Sequence, residues 1–321
     1  MTREIQAIFA LCREPRRPII PVPPLGAPYR SQVVSLEALF AVPANLPTIP
    51  KVVQQLIQSF SRDDVSVDDI ASKLAADPVL SAKTLRLANS AYFHASRSIS
   101  TVDDALRMLG FVMVRNLVVG CGMTGAFKAV QGMDLPQFWR YSLNTASAAR
   151  WLAQASGQNA DLAFTVGLMH GLGQLMMHVA APAAMKSLDK ACNPLAGGRA
   201  ALEQAELGYH FGTVSAEMAR RWKFPAEVAT PLAAAPLPEP GQPMAPMAAL
   251  IHIAAWRARA EALHLSPEAV GQSWPARVAD TLDLPLVWLP DSATLGGDHP
   301  ALTPPMPPLE ELSRGLDSML H

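Results

Sequence analysis

Charged residues are scarce in this sequence and nearly balanced in sign. Only 17% of the 321 residues are charged, while 50% are hydrophobic, and the formal net charge is −1. A chain with this composition is not a disordered one. Its charges create no overall field that would attract a phosphate backbone, so nucleic acid is not an expected partner.

Cysteines and secretion signals are also scarce. The three cysteines, Cys12, Cys121 and Cys192, lie far apart and match no CxxC or other ligand-like spacing. This pattern predicts neither a disulfide framework nor a zinc ribbon. The apolar run from Ile5 to Cys12 is too short, and too acidic at its flank, for a signal peptide. We therefore expect a reducing compartment and a cytoplasmic location.

One uncharged run, from Leu162 to Met185, is long enough to cross a bilayer core of ~30 Å. It contains His170, Gln174 and His178, several glycines and a proline, and it has no flanking basic cluster. Polar side chains are less costly facing a protein interior than facing lipid. We therefore predict a buried central helix and no membrane partner.

Strand signals are few, because runs of alternating β-branched residues are missing. Helix signals are frequent. The pair Asp77-Pro78 predicts the start of a helix that carries Leu80, Leu85 and Leu87, and Thr101 can cap the segment VDDALRMLG. The sequence therefore predicts an all-α fold.

Two further helices are predicted before and across the uncharged run. The segment LPQFWRYSLNTASAARWLAQASG reads as a long amphipathic helix, and Asp161 is expected to cap the helix that follows it. Gly167, Gly171 and Gly173 would each cost about 1 kcal/mol against alanine inside a helix. We expect a neighbouring helix to approach the backbone closely at these glycines.

Proline-rich stretches divide the chain. Residues 1–35 include REPRRPIIPVPPLGAPYR and are predicted to form an extended arm. Residues 36–235 are predicted to form one domain, with an N-terminal helical part at 36–132 and a bundle at 133–235. The link between these parts is short, so we expect them to pack together. Residues 236–321 are predicted to hold C-terminal helices and a proline-rich tail.

The segment GLMHGLGQLMMH places His170, Gln174 and His178 four residues apart. On one continuous helix they would form a polar stripe along an apolar cylinder. Imidazoles in such a stripe can bind a metal. Buried histidines that hydrogen-bond to a backbone carbonyl or to a tyrosine are the more common case.

Several separated stretches together resemble one family. LPTIPKVVQQL, DPVLSAKTLRLANSAYF, STVDDALRMLG, FWRYSLNTASAARWLA, GLMHGLG and YHFGTVSAEMARRWKFP occur in the order typical of HDOD domains. These domains are bacterial signalling relatives of the HD phosphohydrolases. The resemblance covers roughly residues 46–235. It implies an HD-like helical bundle with an N-terminal helical subdomain.

HD phosphohydrolases hold a metal with histidines and aspartates, because neutral imidazoles bind the ion and carboxylates lower the pKa of its bound water. The resemblance places the His-Asp pair of this site at His170 and Gly171, so the aspartate is missing. It places Tyr141 where many relatives have a histidine. Ala254 or Ala255 falls near the late aspartate.

The resemblance therefore implies a catalytically inactive signalling module without metal ligands or cofactor. Tyr141, His170, Gln174 and His210 are expected to line the remnant of the metal site. His210 matches a histidine common in the family. The implied partner is an unidentified signalling protein or a small ligand.

Two other functions stay open at this point. A phosphohydrolase could use a reduced ligand set such as His170, His178 and His210, although the first two would lie about 12 Å apart along one helix axis. Direct DNA binding would depend on ARRWKFP, a short basic cluster without a basic recognition helix.

Overall fold

The structure, a computed structural model, describes residues 35–41, 53, 67–89, 98–239, 241–282, 306–314 and 316. These residues form helices, turns and loops, and no strand occurs among them. The predicted all-α fold class is confirmed. The proline-rich arm up to residue 34 and the tail at 283–305 lie outside the described residues, so their structure stays a prediction.

The helices fall into three consecutive groups along the chain. The N-terminal group contains α1 (Leu36–Leu39), α2 (Val67–Ala75), α3 (Pro78–Ala88), α4 (Val102–Leu109) and α5 (Phe111–Ala126). The central group contains α6 (Leu135–Ala155), α7 (Ala160–Met169), α8 (Leu172–Ala180), α9 (Pro182–Ala191), α10 (Arg199–Leu207), α11 (Phe211–Arg221) and α12 (Ala226–Ala234). The last group contains α13 (Pro246–Ala262), α14 (Pro267–Gln272), α15 (Ala276–Ala279), a 3₁₀ turn (Asp280–Leu282) and α16 (Leu309–Ser313).

Capping residues define the ends of several helices, as the sequence predicts. The carboxylate of Asp77 accepts a hydrogen bond from the N–H of Val79 at 2.9 Å, and Pro78 is the first residue of α3. Thr101 caps α4, and Gly110, at φ 76°, ends that helix.

The start of α7 differs from the prediction. Asn159, and not Asp161, caps this helix, because its side chain accepts hydrogen bonds from the N–H groups of Asp161 and Leu162 at 3.1 and 2.9 Å. Asparagine is among the best capping residues. Asp161 lies in the first turn, where its negative charge interacts favourably with the helix dipole.

The predicted central helix is buried, but it is interrupted by a turn at His170 and Gly171 that separates α7 from α8. Ser215 on α11 stabilises this break. Its hydroxyl donates to the carbonyl oxygen of His170 at 3.0 Å and accepts from the N–H of Gly173 at 2.7 Å. One side chain thus satisfies two backbone groups that a helix end leaves without partners.

The segment Ala160–Ala180 passes a length and hydropathy test for a membrane span, but 89% of its most apolar window is buried inside the protein. A second segment consists of α4 and Met113–Ala126, two helices with a bend of 113° between them. It passes the same test only if the two helices are counted as one span. Within the bundle, α7 packs on α6 and α8 packs on α11. The apolar surface of the segment is therefore used in helix packing, as the sequence predicts.

The N-terminal helices and the central bundle share one hydrophobic core. Helix α5 packs on α7, and the hydroxyl of Thr165 on α7 donates to Oδ1 of Asn116 on α5 at 2.8 Å. The core also includes α13, which packs along α6 and α7 although it lies beyond the predicted domain end at 235. Helix α13 therefore forms a wall of the same bundle.

Gly167 and Gly173 lie where helices come very close together. A Cβ atom on Gly167 would lie only 2.7 Å from Cα of Ala146 on α6. A Cβ atom on Gly173 would overlap the carbonyl oxygen of Phe211 at the start of α11. The expected close backbone approach is confirmed at these two glycines.

In α3, Leu80 and Leu87 are buried, at 3% and 0% exposure, whereas Leu85 is only partly buried against the core. Position 85 points a different way from 80 and 87 because 3.6 residues make one helical turn.

Candidate functional site

Three of the four predicted site residues meet at a small cavity between α6, the α7–α8 turn and α13. Tyr141, His170 and Gln174 line this cavity, together with Arg259 of α13. Its volume is about 10 Å³, which is space for about one water molecule. We call it the His170 cavity.

The imidazole of His170 has one hydrogen bond and one nitrogen without a partner. Its Nδ1 lies 2.6 Å from the carbonyl oxygen of Gly167. A carbonyl can only accept, so Nδ1 carries the proton and Nε2 has a lone pair. The buried Nε2 atom has no hydrogen-bond partner in the described part of the chain. Burial lowers the pKa of His170 to about 4, with a further lowering by Arg259, so the ring is neutral at pH 7.

Two aromatic rings from α6 fill the space beside His170. The ring of Tyr141 packs edge-on against the imidazole, with 5.0 Å between the ring centroids. Burial raises the pKa of Tyr141, so its hydroxyl stays protonated. A Cβ atom on Gly171 would lie 3.1 Å from Cε2 of Phe138. At Gly171, therefore, a ring and not a neighbouring backbone explains the glycine, and an aspartate there would require Phe138 to move.

Arg259 brings a positive charge into the His170 cavity. Its Nε donates to the carbonyl oxygen of Leu195 at 2.7 Å, and its positive charge lowers the pKa of Tyr141 against the larger effect of burial. The same charge acts on His170, where it disfavours protonation of the imidazole. Sequence motifs did not predict this residue in the site, because α13 lies outside the matched stretches.

Gln174 belongs to a buried polar network. Its Nε2 donates to Oε1 of Glu203 at 2.6 Å, and Nε of Arg199 donates to the same oxygen at 2.7 Å. The N–H of Phe211 donates to Oε2 of Glu203 at 2.8 Å. Oε1 of Gln174 is buried and has no hydrogen-bond partner among the residues described. Gln174 and His170, which line the His170 cavity, therefore each have one acceptor atom that no described residue pairs with.

The network continues away from the cavity through Arg199. Its NH1 group donates to Oδ1 of Asp189 at 2.8 Å, and Oδ2 of Asp189 lies 3.0 Å from Nε2 of His178. Burial alone would raise the pKa of Asp189, but the hydrogen bond from His178 and the charge of Arg199 outweigh it and lower that pKa. Burial raises the pKa of Glu203, against the charge of Arg199. These side chains join α8, α9, α10 and the start of α11.

Arg199 and Glu203 were not predicted as site neighbours. Their i, i+4 spacing in GRAALEQAE was visible in the sequence, but this spacing is also typical of exposed helix pairs. Both residues are fully buried in the structure, and no local pattern indicates that burial.

His178 and His210 do not line the His170 cavity. The Nδ1 of His178 lies 2.7 Å from the carbonyl oxygen of Gln174. The Nδ1 of His210 caps α11 by accepting from the N–H of Gly212 at 3.1 Å, and burial lowers the pKa of His210 to about 4. The structure thus brings Tyr141, His170 and Gln174 together, and places His210 at a helix start.

The side chains around His170 do not fit the divalent metal of an HD phosphohydrolase. In the described ranges, no group of three or more His, Cys, Asp or Glu side chains is arranged to hold a metal ion. Ala254 and Ala255 are buried and offer no ligand atom. The guanidinium of Arg259 would also repel a second cation in so small a cavity.

The basic cluster ARRWKFP lies at the end of α11. Arg220 and Arg221 pair with Glu217 at 3.2 and 2.9 Å, and the guanidinium of Arg221 lies 4.5 Å from the ring centroid of Phe40. Two of its three basic side chains are therefore engaged within the protein.

Comparison with solved structures supports the fold. A candidate phosphohydrolase from Shewanella amazonensis SB2B is similar to this chain with a TM-score of 0.66 and 27% identity, over 88% of this chain and 98% of that one. A candidate signal transduction protein from Marinobacter aquaeolei VT8 has a TM-score of 0.55 and 21% identity, over 87% of this chain and 63% of that one. The second likeness shows the fold alone.

Comparison with protein sequences identifies the family. A curated but uncharacterized protein of Treponema pallidum (strain Nichols) is 25% identical over 188 residues, which are 57% of this chain and only 36% of the relative's length. The family model of the HDOD domain matches residues 46–237. Since this match spans more than half of the sequence, the chain belongs to the HDOD domain family.

Proposed function

We propose that this protein is a non-hydrolytic binding module of bacterial signal transduction that acts in the cytoplasm. Its partner would be another signalling protein or a small ligand. Membership of the HDOD family supports this class of function, and the description of the Marinobacter relative agrees with it. The near-zero net charge and the burial of the Ala160–Ala180 segment favour neither nucleic acid nor a membrane as partner.

The proposal that the protein does not hydrolyse phosphoesters rests on one observation. Arg259 and His170 line the same cavity. In an HD enzyme, the cation beside this histidine is the metal that activates water. Here a guanidinium supplies the positive charge, and it cannot lower the pKa of a bound water as a Lewis acid does. Tyr141 and Phe138 fill the adjoining space, which is consistent with the same conclusion.

The alternative is an HD-type phosphohydrolase with a reduced ligand set. The Shewanella relative is described as a candidate phosphohydrolase, and Nε2 of His170 has a lone pair that no described residue uses. If this nitrogen bound a metal, the ion would share the His170 cavity with the guanidinium of Arg259.

The test compares metal content and turnover. The protein is purified without a histidine tag, and its manganese, iron, zinc and magnesium are measured by mass spectrometry. Turnover is measured on p-nitrophenyl phosphate, bis-p-nitrophenyl phosphate and cyclic dinucleotides with each metal added. We expect metal well below one ion per chain and no turnover above background.

Two variants make the test specific. His170→Ala removes the nitrogen with the free lone pair, and His264→Ala removes an exposed imidazole outside the His170 cavity. One metal ion per chain, with turnover that disappears in His170→Ala and remains in His264→Ala, would establish the phosphohydrolase and refute the proposal.

A further inference from the structure

A second cavity shares Tyr141 with the His170 cavity and is much larger. Its volume is about 320 Å³, within the range of about 300–1,000 Å³ that is usual for small-molecule sites. It lies between the first turns of α6 and the C-terminal end of α13. The hydrogen bond from Nε2 of Gln137 to the carbonyl oxygen of Ala262, at 3.0 Å, joins the two helices here.

One wall of this cavity contains two nitrogen donors that have no partner among the residues described. Arg140 and Asn144 lie four residues apart on α6 and therefore on one face of the helix. Asn144 is only 5% exposed, yet its amide forms no hydrogen bond with any residue that the structure describes. Arg140 forms no ion pair within the described ranges.

The remaining walls contribute two carboxylates and the imidazole of His264. Oδ1 of Asp134 caps α6 by accepting from the N–H of Gln137 at 3.0 Å. Oε2 of Glu261 lies 3.6 Å from NH1 of Arg257, and its side chain is 43% exposed. Each carboxylate has a second oxygen that can accept a further hydrogen bond. The residues that line the cavity thus include both nitrogen donors and negatively charged acceptors.

We propose that this cavity binds a small zwitterion of the α-amino-acid type. Its carboxylate would accept hydrogen bonds from the guanidinium of Arg140 and the amide of Asn144. Its ammonium group would donate to the carboxylates of Asp134 and Glu261. A simple anion would be repelled by these two carboxylates and a simple cation by Arg140, whereas a molecule with both charges is complementary to the cavity.

This inference specifies the ligand class for the proposed binding function and rests on that function. It is tested by direct binding, which does not depend on whether the protein hydrolyses phosphoesters. Tyr141 lies in the walls of both cavities, so a ligand in the larger one would contact the residue that packs against His170.

The experiment is isothermal titration calorimetry of the full chain with the proteinogenic amino acids, one at a time. The amino acid that binds best is then tested as its N-acetyl form, which lacks the ammonium group, and as its carboxamide, which lacks the carboxylate. We expect each modification to weaken binding by about ten- to a hundredfold, because a charge-assisted hydrogen bond contributes about 1.5–3 kcal/mol.

Variants assign the binding to this cavity. Arg140→Gln changes an exposed side chain, and Asn144→Ala removes an unpaired amide, so both proteins should fold. Both should bind the amino acid about ten- to a hundredfold more weakly. Arg277→Gln, an exposed arginine outside the cavity, should bind as the unmodified protein does.

Three results would overturn the proposal. These are no binding of any amino acid at millimolar concentration, equal binding of the N-acetyl form, or binding that is unchanged in both Arg140→Gln and Asn144→Ala. Phosphoester turnover in the separate assay would refute the non-hydrolytic function and leave the binding result intact.

Discussion

Arg199 and Glu203 form an ion pair of 2.7 Å in which both side chains are completely buried. Glu203 also accepts hydrogen bonds from Gln174 of α8 and from the N–H of Phe211 at the start of α11. The pair therefore connects α8, α10 and α11 next to Gln174, which lines the His170 cavity. A buried pair contributes little net stability relative to apolar residues, but removing one partner leaves a buried charge uncompensated.

Glu203→Ala should lower the free energy of unfolding by about 3–5 kcal/mol. The matched control is Glu217→Ala, whose ion pairs with Arg220 and Arg221 are exposed and should contribute at most about 1 kcal/mol. Urea unfolding followed by circular dichroism measures both. Equal losses in the two variants would contradict the burial of the Arg199 pair.

Leu87→Ala should destabilise the protein by about 2–5 kcal/mol, because Leu87 is fully buried in the core. Leu85→Ala should have a clearly smaller effect, because Leu85 is only partly buried. Denaturant unfolding of the two variants checks the order. A larger loss for Leu85→Ala would mean that α3 is rotated relative to the core.

Gly167→Ala should be strongly destabilising, because its Cβ would lie 2.7 Å from the backbone of Ala146. Neither helix can relieve this overlap by a side-chain rotation. Gly125→Ala is the control, since no atom lies within 4 Å of a Cβ at that exposed helical position. It should stabilise the protein by about 0.5–1 kcal/mol. Thermal unfolding midpoints measure the two opposite effects, and a neutral Gly167→Ala would refute the close contact of α6 and α7.

The stability should fall as the pH decreases from 6.5 towards 4. The pKa of His170 is about 4 in the folded protein and 6.5 without burial. Between these values the unfolded chain binds more protons, so protonation favours unfolding, by up to about 3 kcal/mol for this one group. Burial lowers the pKa values of His210 and His252 to about 4 as well, so their effects have the same sign.

His170→Gln should make this pH dependence shallower, because it removes one of the buried neutral imidazoles. The measurement is urea unfolding of both proteins at several pH values between 7 and 4. Other titrating groups, including Asp189, are present in both proteins and cancel in the difference. Identical slopes for His170→Gln and the unmodified protein would show that His170 is not buried as a neutral ring.

The sequence by itself determined the all-α class, the family and several helix ends, because these depend on local patterns. The carboxylate of Asp77 and the hydroxyl of Thr101 cap helices through residues two or three positions away. Gly167 and Gly173 indicated close helix approach because alanine would be the better helix former at both positions. The order of the family motifs predicted Tyr141, His170, Gln174 and His210 in one site, and the first three line one cavity.

Only the tertiary structure decided how that site is built, because its partners come from distant parts of the chain. The break after Met169 depends on Ser215, which bonds to both helix ends from α11. The burial of Arg199 and Glu203 depends on the helices packed around α10. The positive charge beside His170 comes from Arg259 on α13, outside every motif that identified the family. Burial and long-range contacts set the charge, the volume and the free ligand atoms of a site, and a local pattern contains none of these.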